Sequence, residues 1–511
     1  MVLRTYVASA ATVVAAVIML PVDVGTGTGT GTGTGQAVKG PRAITDVNPY
    51  QGGCGTPIDA QGFGERLNDT ETEPTLTVDP QNHRHLVTAW MQDLYRGYVA
   101  AYSTNSGAKW RTSIVPGISA CSGDPAAYEL AADPWLSTGP DGTTYLVGLS
   151  LDLNDVPHPS GPPFLPFRSR LQVNRSTDGG RTWSAPSIVV AGEGRLHDKP
   201  SLLADPNRPG HAYVVWTEFL TPLGPPAEGI SFSRTTDGGR TWSTPQHLDF
   251  PAAPGTTPQG ALVQPLPDGS LVVLTTVRAP NGTPDPHRVY AMRSSDAGET
   301  WSSPSLVVEF PATDGRHSTP WSDPDSGVPV DAPEWAISAA VAPRGTIYVT
   351  WRHARTPSSA DIALSKSTDG GTTWSAPITV ASSGHQMFLP VVAVARDGTV
   401  GVTYYDDRRD VLARGGYTND FWFSHSRDGG ATWRETHVGG PFDLRTSLLR
   451  KIPVRGLFLG DYHGLVPLPR GFGSVAAMAR PQAEAGGSDL FFARLHTSPH
   501  GSSAHPLSPD P

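Results

Sequence analysis

The chain repeats a short pattern of hydrophobic and polar positions that predicts paired β-strands. A short apolar run, Thr75 to Val78, is followed by a polar turn and a second run, His85 to Trp90, with valine and aromatic residues. Runs of this length, bounded by turn residues, are typical of antiparallel strand pairs. The pattern returns at Trp135 to Thr138 with Tyr145 to Leu149, Ser201 to Ala204 with Ala212 to Trp216, Ala261 to Gln264 with Leu271 to Thr275, Ala336 to Val341 with Ile347 to Trp351, Val391 to Val394 with Val400 to Tyr404, and Gly464 to Val466 with Gly473 to Met478. It therefore predicts seven similar units.

A third strand follows the pair in each unit. These strands are predicted at Tyr98 to Tyr102, Leu171 to Asn174, Ile230 to Ser233, Val289 to Met292, Asp361 to Leu364, Phe421 to Ser424 and Asp489 to Leu495. All but the last continue into an eight-residue motif and then a fourth strand, such as Ser187 to Val190.

The eight-residue motif, called the octet below, is represented by Ser367 to Trp374 with the sequence STDGGTTW. Its third residue, Asp369, can accept hydrogen bonds from the following amides, its fifth residue tolerates positive φ, and its Trp packs as the next strand begins. Four other complete copies place this aspartate at Asp178, Asp237, Asp296 and Asp428, and a degraded copy spans Ser103 to Trp110. The octet is predicted to lock a β-hairpin turn.

Four antiparallel strands repeated along the chain predict an all-β fold, a β-propeller of four-stranded blades. Seven blades are expected. The last unit lacks an octet and a fourth strand, so a segment near Ala43 to Val47 is predicted to supply that strand. A ring of six blades, with the last repeat as an extra sheet, is the alternative.

The octet resembles the Asp-box, or bacterial neuraminidase repeat, of the sialidase superfamily and of other secreted β-propellers. In that family the motif lies on the outer edge of the propeller, away from the ligand, so the resemblance implies a structural role for the five aspartates. A structural calcium ion is the competing interpretation. It is a poor one, because the octet has one carboxylate and lacks the further oxygen ligands of a calcium loop. No cofactor is expected to be required.

Composition and charge narrow the class of partner. The 511 residues include 56 glycines and 50 prolines, which favour turns, and the net charge of −9 argues against nucleic acid or an anionic membrane. Residues 1–24 are predicted to be a signal peptide or an N-terminal anchor, 25–42 a Gly-Thr linker, 43–495 the propeller and 496–511 a disordered tail. The protein is expected to be secreted and monomeric.

The two cysteines, Cys54 and Cys121, are read as one disulfide in an exported protein. Two free thiols are the alternative. Neither cysteine has the spacing of a zinc site, and metal binding stays undetermined.

Strand order sorts the connections between two faces. If the strands of a blade are named A to D outward from the axis, the A–B turns and the octets share one face, and the D–A and B–C connections share the other. Two insertions, Asp152 to Arg170 and Pro311 to Pro333, belong to this second face. The ligand mouth is therefore predicted there.

Polar side chains precede the A strands and follow the B strands at this mouth. They are Glu73, Asp133, Asp198, Lys199, Glu334, Asp461, Tyr462 and His463, and then Asp93, Glu218, Arg278, Arg352, His353, Arg355, Tyr404, Tyr405, Asp406, Asp407, Arg408, Arg409 and Arg480. Clustered acids, arginines and tyrosines can bind an acidic or hydroxylated ligand. The alternative is that the acids cap strand ends and the arginines neutralise them.

The sialidase resemblance implies particular roles: three arginines for a substrate carboxylate, a Tyr nucleophile activated by a Glu, and an Asp acid/base. The compatible positions are Arg278, Arg352 and Arg408, then Tyr404 or Tyr462, Glu218 or Glu334, and Asp93 or Asp133. Two features depart from sialidases. The Arg-Ile-Pro motif is missing before the first octet, its nearest echo being Lys451-Ile452-Pro453, and a seventh blade is predicted.

A glycosidase with paired acids is the broader expectation. Such an enzyme needs two carboxyl groups facing across the mouth, and Asp133, Asp198, Glu334 and Asp461 are the candidates. The sequence thus predicts a secreted propeller that hydrolyses extracellular glycans. The alternatives are a non-catalytic propeller that binds a glycan, a protein or a cation at the same mouth, and a structural role in the cell envelope.

Overall fold

The repeated strand pattern folds into a series of small antiparallel sheets. A computed structural model describes residues 41–44, 48–50, 70–93, 95–123, 128–153, 166–220, 229–251, 253–279, 283, 285–312, 320–410, 416–446, 456–479 and 487–497. The predicted signal segment, Cys54, Arg480 and the tail after Thr497 lie outside these residues, so the disulfide with Cys121 stays a prediction. No helix in the described part of the chain is long and apolar enough to cross a membrane.

The strands are β1 (Arg42–Ala43), β2 (Glu71–Val78), β3 (Leu86–Gln92), β4 (Gly97–Ser103), β5 (Arg111–Ser113), β6 (Leu130–Thr138), β7 (Thr144–Leu153), β8 (Pro166–Ser176), β9 (Ser187–Glu193), β10 (Arg195–Ala204), β11 (Ala212–Leu220), β12 (Gly229–Thr235), β13 (Gln246–Leu248), β14 (Thr257–Pro265), β15 (Leu271–Arg278) and β16 (His287–Ser294). The second half contains β17 (Ser305–Phe310), β18 (Trp321–Ser322), β19 (Pro329–Asp331), β20 (Ile337–Val341), β21 (Ile347–Thr356), β22 (Ser359–Ser367), β23 (Ile378–Ala381), β24 (Met387–Val394), β25 (Val400–Asp406), β26 (Thr418–Ser426), β27 (Arg434–Asp443), β28 (Leu457–Phe458), β29 (Gly464–Leu468), β30 (Gly471–Ala479) and β31 (Ser488–Leu495). A 3-10 turn spans Ala120–Ser122.

Within the described residues, seven sheets have four strands each. The first six are β2–β5, β6–β9, β10–β13, β14–β17, β20–β23 and β24–β27, each in sequence order, and the seventh has the order β29, β30, β31, β1. We number the sheets one to seven in this order. This is the predicted all-β propeller architecture of four-stranded antiparallel units. A small extra sheet, β18–β19–β28, combines the insertion after the fourth sheet with the segment before the seventh and pairs β19 with β28 in parallel.

Neighbouring sheets pack face to face through large side chains on their second strands. Trp90, Trp216 and Trp351 are completely buried. The packing is close enough to demand small residues: a Cβ added at Gly148 would lie 2.3 Å from Cε1 of Tyr98 in the neighbouring sheet. Burial of these aromatic surfaces between sheets is the main stabilising contribution to the array.

The N-terminal strand completes the seventh sheet, as predicted. Arg42 and Ala43 pair with Phe492 and Phe491 of β31, and the Ile44 amide donates to the Leu490 carbonyl at 2.8 Å. The strand thus starts one residue before the predicted segment, of which residues 45–47 lie outside the described chain. The seventh sheet contacts both the sixth sheet and the first through β24 and β2. The seventh sheet therefore lies next to both of these sheets, and the number of blades stays a prediction.

The octets form the predicted locked turns. In the second sheet, Ser176 Oγ donates to Asp178 Oδ1 at 2.8 Å and accepts from the Gly180 amide, also at 2.8 Å. The amides of Arg181 and Thr182 donate to Asp178 Oδ1, and Thr182 Oγ1 donates to Oδ2 at 2.7 Å. Gly180 has φ of 85°, a conformation that a side chain would strain. The side chains of Ser176, Asp178 and Thr182 are therefore all used within the turn.

Each octet also fastens its sheet to the preceding one. The indole of Trp183 donates to Ser113 Oγ in the last strand of the first sheet at 3.1 Å, and Ser113 Oγ donates to the Gly180 carbonyl at 2.7 Å. Trp242, Ser187 and Gly239 repeat this pair of bonds between the second and third sheets. The octets are therefore links between sheets at the outer edge, in agreement with the predicted structural role.

The degraded octet makes the corresponding link across the junction of the first and seventh sheets. Its Asn105 replaces the aspartate and accepts from the Lys109 amide at 2.8 Å. Trp110 packs edge-on against Phe492 of β31 at a centroid distance of 5.4 Å, and Arg42 of β1 donates to the Ala108 carbonyl at 3.3 Å. The first octet thus joins the two ends of the array.

Replacing Asp369 with Asn is expected to lower stability in a pH-dependent way. Hydrogen bonds from the Thr373 hydroxyl and the Thr373 amide lower the pKa of Asp369 to about 2, below the value of about 4 in an unfolded chain. The bound carboxylate therefore stabilises the fold above pH of about 4, and this contribution is lost as the pH falls towards 2. Melting temperatures across this range should show a difference between wild type and variant that disappears at the acidic end. Asp249→Asn, with a 96% exposed side chain, is the control, and a pH-independent difference for Asp369→Asn would contradict the assignment.

Replacing Phe492 with Ala is expected to cost about 3 to 5 kcal/mol, because it removes a buried ring from the junction between the first and last sheets. Phe492 is 3% exposed, and its ring contacts Trp110. Urea unfolding measures the loss. The control is Phe491→Ala, because Phe491 is the partly buried neighbour on the other side of β31. An equal loss of unfolding free energy in both variants would contradict a particular contribution of Phe492 to the junction.

Candidate functional site

Five of the seven innermost strands have a β-bulge at the mouth predicted for the ligand. The register shifts at one place in β2, β6, β10, β14 and β24. The first bulged residue has positive φ in every case: Glu73 (54°), Asp133 (52°), Lys199 (49°), Gly260 (71°) and Leu389 (49°). Proline follows four of them, at Pro74, Pro134, Pro200 and Pro390. Four non-glycine residues in this conformation store backbone strain, as is common at functional or tightly constrained positions.

Three of the strained residues meet at the axis. The ammonium Nζ of Lys199 lies 2.5 Å from Asp133 Oδ1, 2.9 Å from Glu73 Oε1 and 2.5 Å from Asp461 Oδ2. All four side chains are at most 10% exposed. Burial opposes the charge of Lys199, but the surrounding carboxylates raise its pKa well above its usual value. Asp133 and Asp461, expected as catalytic acids, are therefore bound in an internal ion-pair cluster.

The two residues after Asp461 are also engaged. Burial, followed by the nearby carboxylates, raises the pKa of Tyr462, and its hydroxyl donates to the Pro134 carbonyl at 2.9 Å. His463 lies 2.8 Å from Thr403 Oγ1, and burial lowers its pKa to about 3, so the ring is neutral. The structure thus gives Tyr462 and His463 packing partners, and neither offers a free charge for a substrate.

Glu334 and Arg352 form a buried pair beneath the small extra sheet. Arg352 Nη1 donates to Glu334 Oε1 and Nη2 donates to Gln386 Oε1, both at 2.7 Å. The indole of Trp321 in β18 covers the guanidinium, whose carbon lies 4.9 Å from the ring centroid. Glu334 and Arg352 are only 1% and 2% exposed. These two residues, expected in catalysis and substrate binding, are sequestered in this conformation.

Tyr404 and Arg408 share another internal partner. The Tyr404 hydroxyl donates to Glu435 of β27, and Arg408 binds Asp406 at 2.9 Å and Glu435 at 2.5 Å. Tyr404 is completely buried, and burial together with Glu435 raises its pKa. Arg408 also stacks on Trp422, at 4.1 Å from the centroid. The glutamate beside Tyr404 is therefore Glu435 of an outermost strand, and neither Glu218 nor Glu334 as the sialidase resemblance implied.

Glu218 and Asp93 complete the set of engaged acids. Glu218 pairs with Arg195 and accepts from Ser231 Oγ at 3.1 Å. Asp93 is 1% exposed and accepts from Asn48 Nδ2 at 2.7 Å. Both interactions tie neighbouring segments together, the role expected of acids at strand ends.

A hydrogen-bonded group at the predicted mouth contains Asp198, Gln259 and Arg278. Gln259 bridges the other two: its Nε2 donates to Asp198 Oδ2 at 3.4 Å, and its Oε1 accepts from Arg278 Nη1. Asp198 and Arg278 are each partly exposed. Burial lowers the pKa of Arg278 to about 10, with Asp198 acting in the opposite direction. Arg278 Nε donates to no acceptor in the described part of the chain.

The three arginines assigned by resemblance lie in three different sheets and have different partners. Arg352 pairs with Glu334, Arg408 with Asp406 and Glu435, and Arg278 bonds to the neutral Gln259. Their guanidinium groups share no partner within the described residues. This arrangement differs from a triad built around one carboxylate, and it leaves Arg278 as the arginine whose charge is least neutralised.

Two cavities follow the axis. A narrow one of about 70 Å³ is lined by residues of the bulge region, including Lys199, Trp335, Asp461 and Tyr462. A wider one of about 550 Å³ opens among the A–B turns on the octet face, and Trp135 and Ser201 line both. Many of the B–C and D–A connections at the predicted mouth lie outside the described residues. In the part of the chain that the structure describes, no group of three His, Cys, Asp or Glu side chains is arranged to hold a metal ion.

Asp407, which follows β25 at the predicted mouth, is a further buried acid. Burial raises the pKa of Asp407 to about 6, and this carboxylate accepts from Tyr417 Oη and the Gln386 amide, both at 2.8 Å. Trp321 of the extra sheet donates to Tyr417 Oη, also at 2.8 Å. The sequence gives no signal of this network, because Trp321 reaches Tyr417 only through the insertion.

No family model and no curated protein matches the chain. Similar solved structures include a protein of unknown function from Dyadobacter fermentans, at 15% identity over 84% of this chain and 95% of that one, with a TM-score of 0.44. Another is a Hadza microbial sialidase, at 17% identity over 84% and 66%, with a TM-score of 0.43. A third is the Penicillium chrysogenum α-L-arabinanase bound to arabinobiose, at 14% identity over 90% and 98%, with a TM-score of 0.45. All three TM-scores are below 0.5. The four-stranded antiparallel sheets are therefore defined by the strand pairing of this chain alone.

Replacing Arg352 with Met is expected to lower the free energy of unfolding by about 3 to 5 kcal/mol, because the buried Glu334 loses its guanidinium partner. The double variant with Glu334→Gln should recover part of this loss. Arg355→Met is the matched control in the same strand: its partner is Asp361, its side chain is 49% exposed, and a loss below about 1 kcal/mol is expected. Urea unfolding measures all three, and equal losses in the two single variants would contradict a buried pair.

Proposed function

We propose that the protein is a secreted, sialidase-like propeller that acts on extracellular glycans, by glycoside hydrolysis, at the mouth formed by the D–A and B–C connections. The observation that carries the proposal is the Asp198–Gln259–Arg278 group. A partly exposed carboxylate and guanidinium, joined by an amide, supply the acceptors and donors that bind sugar hydroxyls. The resemblance of the octets to Asp-boxes supports the glycan class.

Asp198 is the carboxyl group best suited to act on a substrate. It lies beside the axial cluster, whose Lys199 it also influences electrostatically, and it is more exposed than Asp133 and Asp461. Arg278 is suited to bind a substrate oxygen, because the residue is partly exposed and its hydrogen-bond partner, Gln259, is uncharged. Hydrolysis requires a second carboxyl group, and Asp133 and Asp461, which both lie at Lys199, are the candidates.

A non-catalytic glycan-binding propeller is the second candidate. It is favoured by the ion pairs that engage Asp133, Asp461, Glu334 and Glu218. A binding module needs hydrogen-bonding groups at the mouth but no free acid pair. In this case Arg278 and Asp198 would contribute to affinity without turnover.

Release of sugar from a glycan panel by the full-length protein tests the proposal. Asp198→Asn is expected to reduce kcat/KM by about 100-fold or more, the usual contribution of a positioned acid or base. Arg278→Gln is expected to reduce kcat/KM by roughly 10-fold or more, the effect of losing one charged hydrogen bond. Melting temperatures of both variants should stay close to that of wild type.

Arg288→Gln is the matched control, because Arg288 lies in the same sheet but pairs with Glu309 at 2.6 Å on the outer edge. It should leave turnover unchanged. Binding on a glycan array without turnover, lost in Arg278→Gln, would favour the second candidate. Neither turnover nor binding on either panel would overturn the assignment to glycans.

A further inference from the structure

The bulges give the axis two different sides. In the first three sheets the first bulged residues are charged, Glu73, Asp133 and Lys199, and ion pairs at Lys199 join them. In the fourth and sixth sheets the corresponding residues are Gly260 and Leu389. The second side of the axis therefore receives no side chain from one bulge and an apolar side chain from the other.

Gly260 is required by a close approach of Trp335. Its φ of 71° favours glycine, and an added Cβ would lie 2.7 Å from Cζ3 of the Trp335 ring. The Trp335 carbonyl accepts from Thr276 Oγ1 at 2.9 Å, which holds this segment against the fourth sheet. The axial cavity of about 70 Å³ lies beside the glycine.

The wall of this cavity on the second side is mainly apolar. Its residues include Gly260, Trp335, Ala336, Leu389 and Val391. The indole nitrogen of Trp335 has no accessible surface, so it does not face the cavity. Deeper along the same strand, Ser338 adds a hydroxyl that accepts from the Val392 amide at 3.1 Å. Most of this wall thus offers no hydrogen-bond partner to a bound group.

The cavity adjoins the polar group proposed to bind the substrate. Asp198 and Gln259 directly precede Lys199 and Gly260, which both line the cavity. Gln259 bonds to Asp198 and to Arg278. A molecule bound by both regions needs hydroxyl groups on one side and a small apolar group on the other.

The size of the cavity fits one substituent of a sugar. One water-sized group needs about 10 to 15 Å³ of such space, and sites that enclose a whole ligand have about 300 Å³ or more. A hydroxymethyl group would place its hydroxyl against Ala336, Leu389 and Val391, and a buried hydroxyl without a partner is unfavourable. A methyl group needs no partner and gains from burial.

We propose that the axial cavity binds the methyl group of a 6-deoxy sugar, whose hydroxyl groups are bound by Asp198, Gln259 and Arg278. This inference rests on the proposed function, because it names the substrate class of the same site. An apolar pocket discriminates against an added hydroxyl by up to about 100-fold. The preference for a 6-deoxy sugar over its hydroxymethyl counterpart is therefore expected to be about 10- to 100-fold.

Pairs of 4-nitrophenyl glycosides that differ only in the C6 hydroxyl test the proposal with the full-length protein. The pairs are fucosides with galactosides and rhamnosides with mannosides, in both anomers and both enantiomeric series. For one pair, kcat/KM of the 6-deoxy member should exceed that of its counterpart by about 10-fold or more. If the protein binds without turnover, Kd values for the matching methyl glycosides should show the same ratio.

Replacing Ala336 with Leu should remove this preference, because the larger side chain fills the cavity from its partly exposed wall. Ala336→Val makes the same test with a smaller side chain if the Leu variant does not fold. Ala376→Leu is the matched control. Ala376 belongs to the same sheet but is exposed near its octet, so the preference should be unchanged.

The outcomes separate this inference from the proposed function. A 6-deoxy preference that is lost in the Ala336 variants and kept in Ala376→Leu would support it. Turnover or binding with equal constants in every pair, or a preference that the Ala336 variants keep, would overturn this inference alone. Activity confined to N-acetylated sugars or pentoses would also overturn it alone. Neither turnover nor binding of any sugar would overturn both.

Discussion

The structure depends on joining the two ends of a chain of sheets. Each four-stranded unit buries both faces against its neighbours, so a gap between the first and last units would expose apolar surface and unpaired strand edges. Three interactions join the two ends, each at a different distance from the axis. β1 pairs with β31 at the outer edge, Trp110 packs on Phe492 between the sheets, and Lys199 binds Glu73 and Asp461 at the axis.

The five complete octets link each sheet from the second to the sixth to the sheet before it. Each complete octet uses its Ser or Thr, Asp and Thr side chains to fix its own turn. The indoles of Trp183, Trp242 and Trp301 then bind the preceding sheet, whereas those of Trp374 and Trp433 donate to a glycine carbonyl of their own octet. The motif that identifies the repeat is therefore a connector at the outer edge. A functional site at the other end of the strands stays a prediction from strand order.

The mouth at that end is rich in charge, but most of the charge is already neutralised. Asp133 and Asp461 bind Lys199, Glu334 binds Arg352, and Glu218 binds Arg195. Arg278 differs from these groups because its hydrogen-bond partner, Gln259, is uncharged. Asp198, which also bonds to Gln259, and Arg278 are both partly exposed. Trp321 of the extra sheet covers Arg352. Asp323, which follows Trp321 by two residues, accepts hydrogen bonds from Arg445 at 2.5 and 2.8 Å.

The amino-acid sequence by itself determined the strands, the turns and the sheet order, because these depend on local periodicity and on an octet whose polar groups bond within eight residues. It also placed the acids and arginines on one face. Only the tertiary structure decided their partners. Lys199 binds Glu73 and Asp461, each of which lies more than a hundred positions away along the chain. Tyr404 donates to Glu435, which lies in an outer strand. Pairing across sheets depends on bulges, register and side-chain direction, which a pattern of residue types does not encode.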